Sequence, residues 1–175
     1  MSPDELISHR LEDPLLPAFD CRREAQNRFL RESAWHDQQE WLSTTYLYYA
    51  HGILVAYATI SASALTLGSR ERPRAIRRKA TSAIKLLQFG VDRRFQGLGV
   101  GTEVLADVIA FARECSPRIG CRYLALDAQP DLVRWYEARG FLINKAEQKH
   151  RIAAAMGKRP IDQIAVSMRF DLMDV

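Results

Sequence analysis

The sequence predicts an α+β fold, with hairpin strands in its first half and a strand–helix–strand–helix unit in its second. Three observations carry that prediction. Gly52 separates two β-rich runs, Thr45 to Tyr49 and Ile53 to Ile60, which is a hairpin pattern. "SAIKLLQFGV", residues 82–91, reads as a strand that runs on into Gly97, Gly99 and Gly101 and then into apolar residues at helical spacing. "RYLALDA" and "DLVRWYEARGF" follow as a short buried strand and a short helix closed by Gly140.

The remaining elements fall around these. A short first strand is expected at about residues 5–11, ended by Pro14 and Pro17. "CRREAQNRFLRESAWHDQQEWLS", residues 21–43, reads as helical, with Phe29, Leu30, Ala34, Trp41 and Leu42 as its apolar side. Residues 61–80 are Ser/Ala-rich and then basic, lack periodicity, and read as a loop. In the 82–91 strand, Leu87, Phe89 and Val91 share one face and Ile84 and Leu86 the other. Val100, Val104, Leu105, Val108, Ile109 and Ala112 define a helix expected to end before Pro117. "NKAEQKHRIAAAMG" has helix-forming composition up to Gly157, and "IAVSMRF" is a last strand.

Bulk properties bound the function. A chain of 175 residues with 47% hydrophobic and 26% charged residues is expected to form one globular domain spanning residues 1–175. No apolar run approaches the roughly 20 residues of a membrane span, and "MSPDELISHRLEDP" lacks the apolar centre of a signal peptide, so a cytoplasmic protein is expected. Cys21, Cys115 and Cys121 show no CxxC spacing, and His9, His36, His51 and His150 form no HExxH pair, so no metal is expected. The absence of GxSxG argues against a serine-hydrolase elbow.

The formal net charge is +4. In residues 70–79, "RERPRAIRRK", Arg70, Arg72, Arg74, Arg77, Arg78 and Lys79 face only Glu71, so the rest of the chain is close to neutral. Such a loop either attracts a polyanion such as nucleic acid or is a solvated face that keeps the protein soluble.

A strand that passes through glycines into a helix is an anion site in physical terms, because the first helical N–H groups are unsatisfied and the dipole adds positive potential. A dinucleotide fingerprint GxGxxG needs Gly at position 102, where Thr102 stands. A P-loop needs GxxxxGK[ST], and no Lys follows these glycines. "QGLGVG", residues 96–101, fits [Q/R]-x-x-G-x-[G/A] instead.

In that hexapeptide and its flanks the sequence resembles the GNAT N-acetyltransferases. "LLQFGVDRRFQGLGVGTEVL" resembles the family's strand, pyrophosphate loop and helix, and "RYLALDAQPDLVRWYEARGF" its next strand and helix; together they cover about residues 84–143. The resemblance implies a GNAT fold, with a single mixed sheet of about six to seven strands flanked by helices, to which the composition adds a helical segment near residues 144–163. It implies acetyl-CoA as acetyl donor. Backbone groups of Phe89 and Val91 would pair with its acetyl and pantetheine part. Backbone N–H groups of Gln96, Gly97, Leu98, Gly99, Val100, Gly101 and Thr102 would line its pyrophosphate. Tyr136 matches the family's general acid, and a phenol with an ordinary pKa near 10 stays protonated to meet a leaving thiolate. Gln129 stands where many relatives carry an Asn that contacts the pantetheine. No base stands out; His36, Asp37, Glu40 and His51 are candidates on the acceptor side.

"FDCRREAQNRFLRESA" and "TYLYYAHGILVAYATIS" also resemble the front half of GNAT toxins from bacterial toxin–antitoxin pairs, which acetylate the amine of aminoacyl-tRNA. Arg22 departs from the Gly usual after Phe-Asp-Cys, and the Asn144 to Gln163 segment is longer than those toxins imply. The acceptor therefore stays open between a small amine, a peptide or protein amine, and aminoacyl-tRNA, with the cationic loop as a tRNA contact and a small antitoxin as partner in the last case. A binding module that retains the acetyl-CoA or nucleic-acid site without catalysis is the reading of a different class. GNAT relatives often form homodimers, and the resemblance implies a homodimer here as well.

Overall fold

The computed structural model describes residues 6–74, 76–77, 80–155 and 164–174. Its strands form one mixed sheet of seven in the order β1-β2-β3-β4-β5-β7-β6. These are β1 (Leu6–Arg10), β2 (Thr44–Ala50), β3 (Ile53–Thr66), β4 (Ala80–Val91), β5 (Tyr123–Ala128), β6 (Leu142–Ile143) and β7 (Val166–Asp171). The chain divides into two compact units, Met1–Ser61 with Leu86–Phe111 and Ala62–Lys85 with Ala112–Val175, called here the first and second unit.

In the first unit β1 and β3 both pair antiparallel with β2. The β2–β3 turn places His51 and Gly52 at φ 49° and 75°, a turn whose twist suits a hairpin. Thr45 and Thr59 are opposite one another and share a buried hydroxyl–hydroxyl hydrogen bond of 2.8 Å. The N-terminal helical segment comprises α1 (Glu24–Arg28), a π-helical turn (Phe29–Ser33) and α2 (Ala34–Gln39). Leu30 and Ala34 pack with Leu11, Leu47, Leu54 and Tyr57 as the core of this unit.

Trp41 and Leu42 do not join that core. The helix ends at Gln39, and Trp41 takes up φ 61° as the chain turns toward β2, leaving it 92% exposed and Leu42 63% exposed. The buried Gln38 side chain fixes this exit, donating to the Leu11 carbonyl and accepting from the Thr45 N–H. Tertiary satisfaction of two backbone groups thus overrides an apolar pattern.

The second unit differs from expectation in three places. Residues 61–66 continue β3, because the alternation of that stretch is carried by small Ser and Ala side chains that hide it in the sequence. Helix α3 (Val100–Ile119) contains Pro117 rather than stopping before it. In the last turn proline removes one hydrogen bond only, and Gly120 at φ 69° ends the helix, its N–H and that of Cys121 both donating to the Ser116 carbonyl. The two-residue β6 was not foreseen; β7 pairs antiparallel with both β5 and β6. Helix α5 (Lys145–Ala155) supplies the additional helical segment, and its expected end at Gly157 lies outside the described residues. Leu65, Leu67, Ala83, Tyr123 and Ala125 form this unit's core cluster.

Candidate active site

The glycine loop of the first unit begins at the buried Asp92, directly after β4. Its carboxylate accepts from the Arg94 N–H (3.0 Å), the Arg94 guanidinium (2.8 and 3.2 Å) and the Asp20 N–H (3.1 Å). Burial works against its charge, but these donors outweigh it and hold the carboxyl below the usual range. Gln96 folds back over the loop's base, its Nε2 donating to the Val91 carbonyl at 2.9 Å and the Cys21 carbonyl at 3.2 Å.

Gly97 and Gly99 sit at φ 76° and 90°, and a Cβ at either would meet no protein atom within 4 Å. Backbone conformation, not protein crowding, therefore requires glycine there, and the space beyond the loop is open. The N–H groups of Gln96, Gly97, Leu98, Gly99, Val100 and Gly101 follow one another through the turns of residues 93–99 into the first residues of α3. The Thr102 N–H donates to the Gly99 carbonyl at 2.8 Å, closing the first turn of α3. Consecutive amides of a glycine-opened loop at a helix N-terminus suit a diphosphate.

Phe89 and Val91 lie in the last three residues of β4, half-buried. Gly90 between them was not singled out from the sequence. A Cβ there would stand 2.7 Å from Tyr57 Cε1 and 3.4 Å from Cys21 Cβ, so this glycine admits the fully buried Tyr57 ring against the strand. Tyr57 donates to the Gln26 carbonyl at 2.9 Å, and burial pushes its phenol far above the ordinary range.

Of the acceptor-side candidates, His36 and Asp37 lie on α2 and Glu40 follows it, while His51 occupies the β2–β3 turn at the opposite end of β2. The four do not form one cluster.

The second unit carries Tyr136. After β5, Gln129 is half-buried and its carbonyl accepts from Leu132 N–H, but its side chain does not cap the following turn. A 3-10 turn (Pro130–Leu132) leads into α4 (Val133–Glu137). Tyr136 is 5% exposed, with Trp135 and Phe141 edge-on at 4.9 and 5.4 Å. Arg139 stacks on Trp135 at 3.8 Å and donates to its carbonyl at 2.8 Å. Gly140, at φ 87°, ends the helix where a Cβ would press on Phe170 at 3.0 Å. The ring is thereby fixed on several sides.

The arginine loop belongs to this unit too. Arg70, Arg74 and Arg77 are exposed, and Arg72 donates to the Arg77 carbonyl at 3.2 Å; Arg78 and Lys79 lie outside the described residues. Glu71 is not the loop's counter-charge, as its position in the sequence suggested. It turns inward, pairing with Arg169 at 3.1 Å and accepting from the N–H groups of Gly68 (3.1 Å), Lys145 (2.7 Å) and Ala146 (3.1 Å). Burial disfavours its charge, but those three N–H groups and Arg169 outweigh burial and hold the carboxyl below its usual range. Among the described residues no group of three or more His, Cys, Asp or Glu could hold a metal ion, and no helix is long and apolar enough to cross a membrane.

No curated protein sequence matches the chain. Solved structures with the same fold include a bacterial toxin, 18% identical, covering 95% of this chain and 90% of its own, at TM-score 0.77. A tyrosine-to-phenylalanine mutant of KacT is 19% identical over 96% of this chain and 95% of its own, at TM-score 0.76. AtaT complexed with acetyl-methionyl-tRNAfMet is 20% identical over 93% of each chain, at TM-score 0.72. The model of the acetyltransferase (GNAT) family matches residues 9–141, three-quarters of the chain and every element from β2 to α4. The protein is a member of the GNAT family of acetyltransferases.

Proposed function

We propose that the protein transfers acetyl from acetyl-CoA to a primary amine by direct attack, and that the amine is the free amino group of an aminoacyl-tRNA. The row of amides from Gln96 to Gly101, opened by left-handed Gly97 and Gly99 with open space beside them, carries the donor half of this reading. Those amides and the helix dipole would hold the donor's diphosphate without any side-chain charge. Phe89 and Val91 would pair with its pantetheine arm as one strand pairs with another, the Val91 N–H polarising the thioester carbonyl, and Gln129 would supply an amide to the same arm.

Tyr136 is the general acid in this reading. It gives its phenolic proton to the sulfur as the C–S bond breaks, while the amine nitrogen forms the new C–N bond and releases a proton to solvent. Holding both reactants together supplies much of the acceleration. An aminoacyl ester amine is less basic than a lysine amine, so a useful fraction is neutral near pH 7 and none of His36, Asp37, Glu40 or His51 is required as base.

Two observations favour the tRNA acceptor over a small amine. Glu71 is drawn into the interior, so the surface presented by Arg70, Arg72, Arg74 and Arg77 is cationic and suits a phosphate backbone. Structures similar over nearly the whole chain are toxins, one in complex with an acetylated aminoacyl-tRNA and others with an antitoxin. By the same likeness a small antitoxin would be the protein partner.

The test is transfer of labelled acetyl from acetyl-CoA to a set of aminoacyl-tRNAs, beside free amino acids and polyamines. Acetylated aminoacyl-tRNA formed faster than any small-amine product supports the proposal. Robust small-amine turnover with unmodified aminoacyl-tRNA contradicts the acceptor assignment, and no thiol release with any amine contradicts catalysis.

A further inference from the structure

We infer that Asn27 and Asp20 are positioning residues of the acetyl-CoA loop, fixing its backbone from α1 without touching the ligand. The inference rests on reading Gln96–Gly101 as the diphosphate cradle. A cradle made of backbone amides has no adjustable side chains, so its affinity depends on where the loop's ends are held.

Asn27 stands inside α1, 5% exposed, although asparagine is among the weaker helix formers. Its side chain is used for the tertiary structure. Oδ1 accepts from the Cys21 N–H at 2.9 Å and the Cys21 thiol at 3.1 Å, while Nδ2 donates to Asp20 Oδ1 at 2.9 Å. A donor must face the Asp20 carboxylate and an acceptor must face the Cys21 N–H, and an amide supplies both.

Asp20 and Cys21 in turn hold the loop at three points. The Asp20 N–H donates to Asp92 Oδ2 at 3.1 Å, and its carbonyl accepts from the Arg93 N–H at 2.8 Å. The Cys21 carbonyl accepts from Gln96 Nε2 at 3.2 Å, and Gln96 is the first residue of the cradle. Asp20 Oδ1 also accepts from the Arg22 N–H at 2.8 Å, and its other oxygen pairs with Arg93 at 3.5 Å. One buried amide therefore organises two residues, and these fix Asp92, Arg93 and Gln96. Loosening it should weaken ground-state and transition-state binding of the donor alike, which raises KM and leaves kcat in place.

The experiment compares Asn27→Ala, Asp20→Ala and the double variant with the unaltered protein. It measures acetyl-CoA binding by calorimetry, and KM for acetyl-CoA and kcat at saturating amine. Each single variant should raise Kd and KM about tenfold, the scale of one lost buried hydrogen bond, with kcat within about twofold. The double variant should be no worse than about the poorer single variant, because both break one network. Asn27→Asp should lose affinity like Asn27→Ala, since its carboxylate faces that of Asp20. Leu65→Ala, in the core cluster of the second unit, serves as control: it should lower Tm while keeping KM. Asp20 has a side chain 43% exposed, so Asp20→Ala carries the test where Asn27→Ala does not fold. Unchanged Kd and KM in Asp20→Ala, or a fall in kcat at unchanged KM, overturns the inference. Failure of the unaltered protein to bind acetyl-CoA overturns the cradle reading itself.

Discussion

The two units carry their chemistry in different materials. In the first, the candidate site is backbone: six amides, two left-handed glycines and an exposed loop. In the second it is one phenol held in a stack of Trp135, Tyr136, Phe141 and Phe170. A backbone site is disturbed by conformation and a side-chain site by chemistry, so lesions in the two should separate kinetically.

The buried carboxylate behind each loop repeats the contrast. Asp92 is paired locally with Arg94, whose side chain is 53% exposed and can return to water. Glu71 is paired across 98 residues with Arg169, whose side chain is 9% exposed and cannot.

The largest effect is expected from Tyr136→Phe, which removes the proposed proton donor and keeps the aromatic stack. It should lower kcat at least a hundredfold, within the range of about 10²–10⁴ for general acid catalysis. Acetyl-CoA affinity should stay within about twofold, checked by calorimetry on the same preparation. Equal losses of kcat and affinity would erase the distinction between the two units.

Next in size is Glu71→Ala, which leaves Arg169 buried without its partner and the first amides of α5 without their acceptor. Denaturant unfolding should show a loss of about 3–5 kcal/mol. Asp92→Asn should cost less, about 1–3 kcal/mol, because Arg94 rehydrates. The reverse order would contradict the contrast between local and long-range anchoring. Both carboxyls have folded pKa values below their unfolded ones. Their contribution is therefore fully present above the unfolded carboxylate pKa of about 4 and is lost as pH falls through the lower folded values. Unfolding free energy should drop with acid below about pH 4.5, with a shallower slope in Glu71→Ala.

Gly99→Ala tests the backbone site more finely. Nothing would clash with the added methyl, so its effect comes from φ 90° alone, a strain of about 1–2 kcal/mol. KM for acetyl-CoA should rise about tenfold at nearly constant kcat. The smallest effect should come from Arg22→Gly. Arg22 holds φ 65°, which glycine adopts without steric cost, and the gain of up to about 1 kcal/mol should raise Tm by a few degrees. A lower Tm would show that the arginine side chain contributes more than its strained backbone costs.

The parts legible in the sequence are those written in local pattern. Glycine spacing marked the loop because left-handed backbone selects glycine one position at a time. Helical spacing marked α3 and alternation most of β4, while Gly52 marked the β2–β3 hairpin, Gly140 the end of α4, and Pro14 and Pro17 the end of β1. What escaped is held together over distance: Asn27 to Asp20 and Cys21, Gln38 to Leu11 and Thr45, Glu71 to Arg169. Trp41 and Leu42 misled because an apolar residue at helical spacing does not announce that the helix has already ended. The far end of β3 escaped because serine and alanine alternate without a hydrophobic contrast.

In the proposed reaction, backbone amides of Gln96 to Gly101 hold the donor. An amide-resolved NMR titration of the 15N-labelled protein with acetyl-CoA reads those groups one by one. Saturable shifts should be largest at Gln96, Gly97, Leu98, Gly99, Val100 and Gly101. Saturable binding that leaves those six amides unmoved would contradict that role.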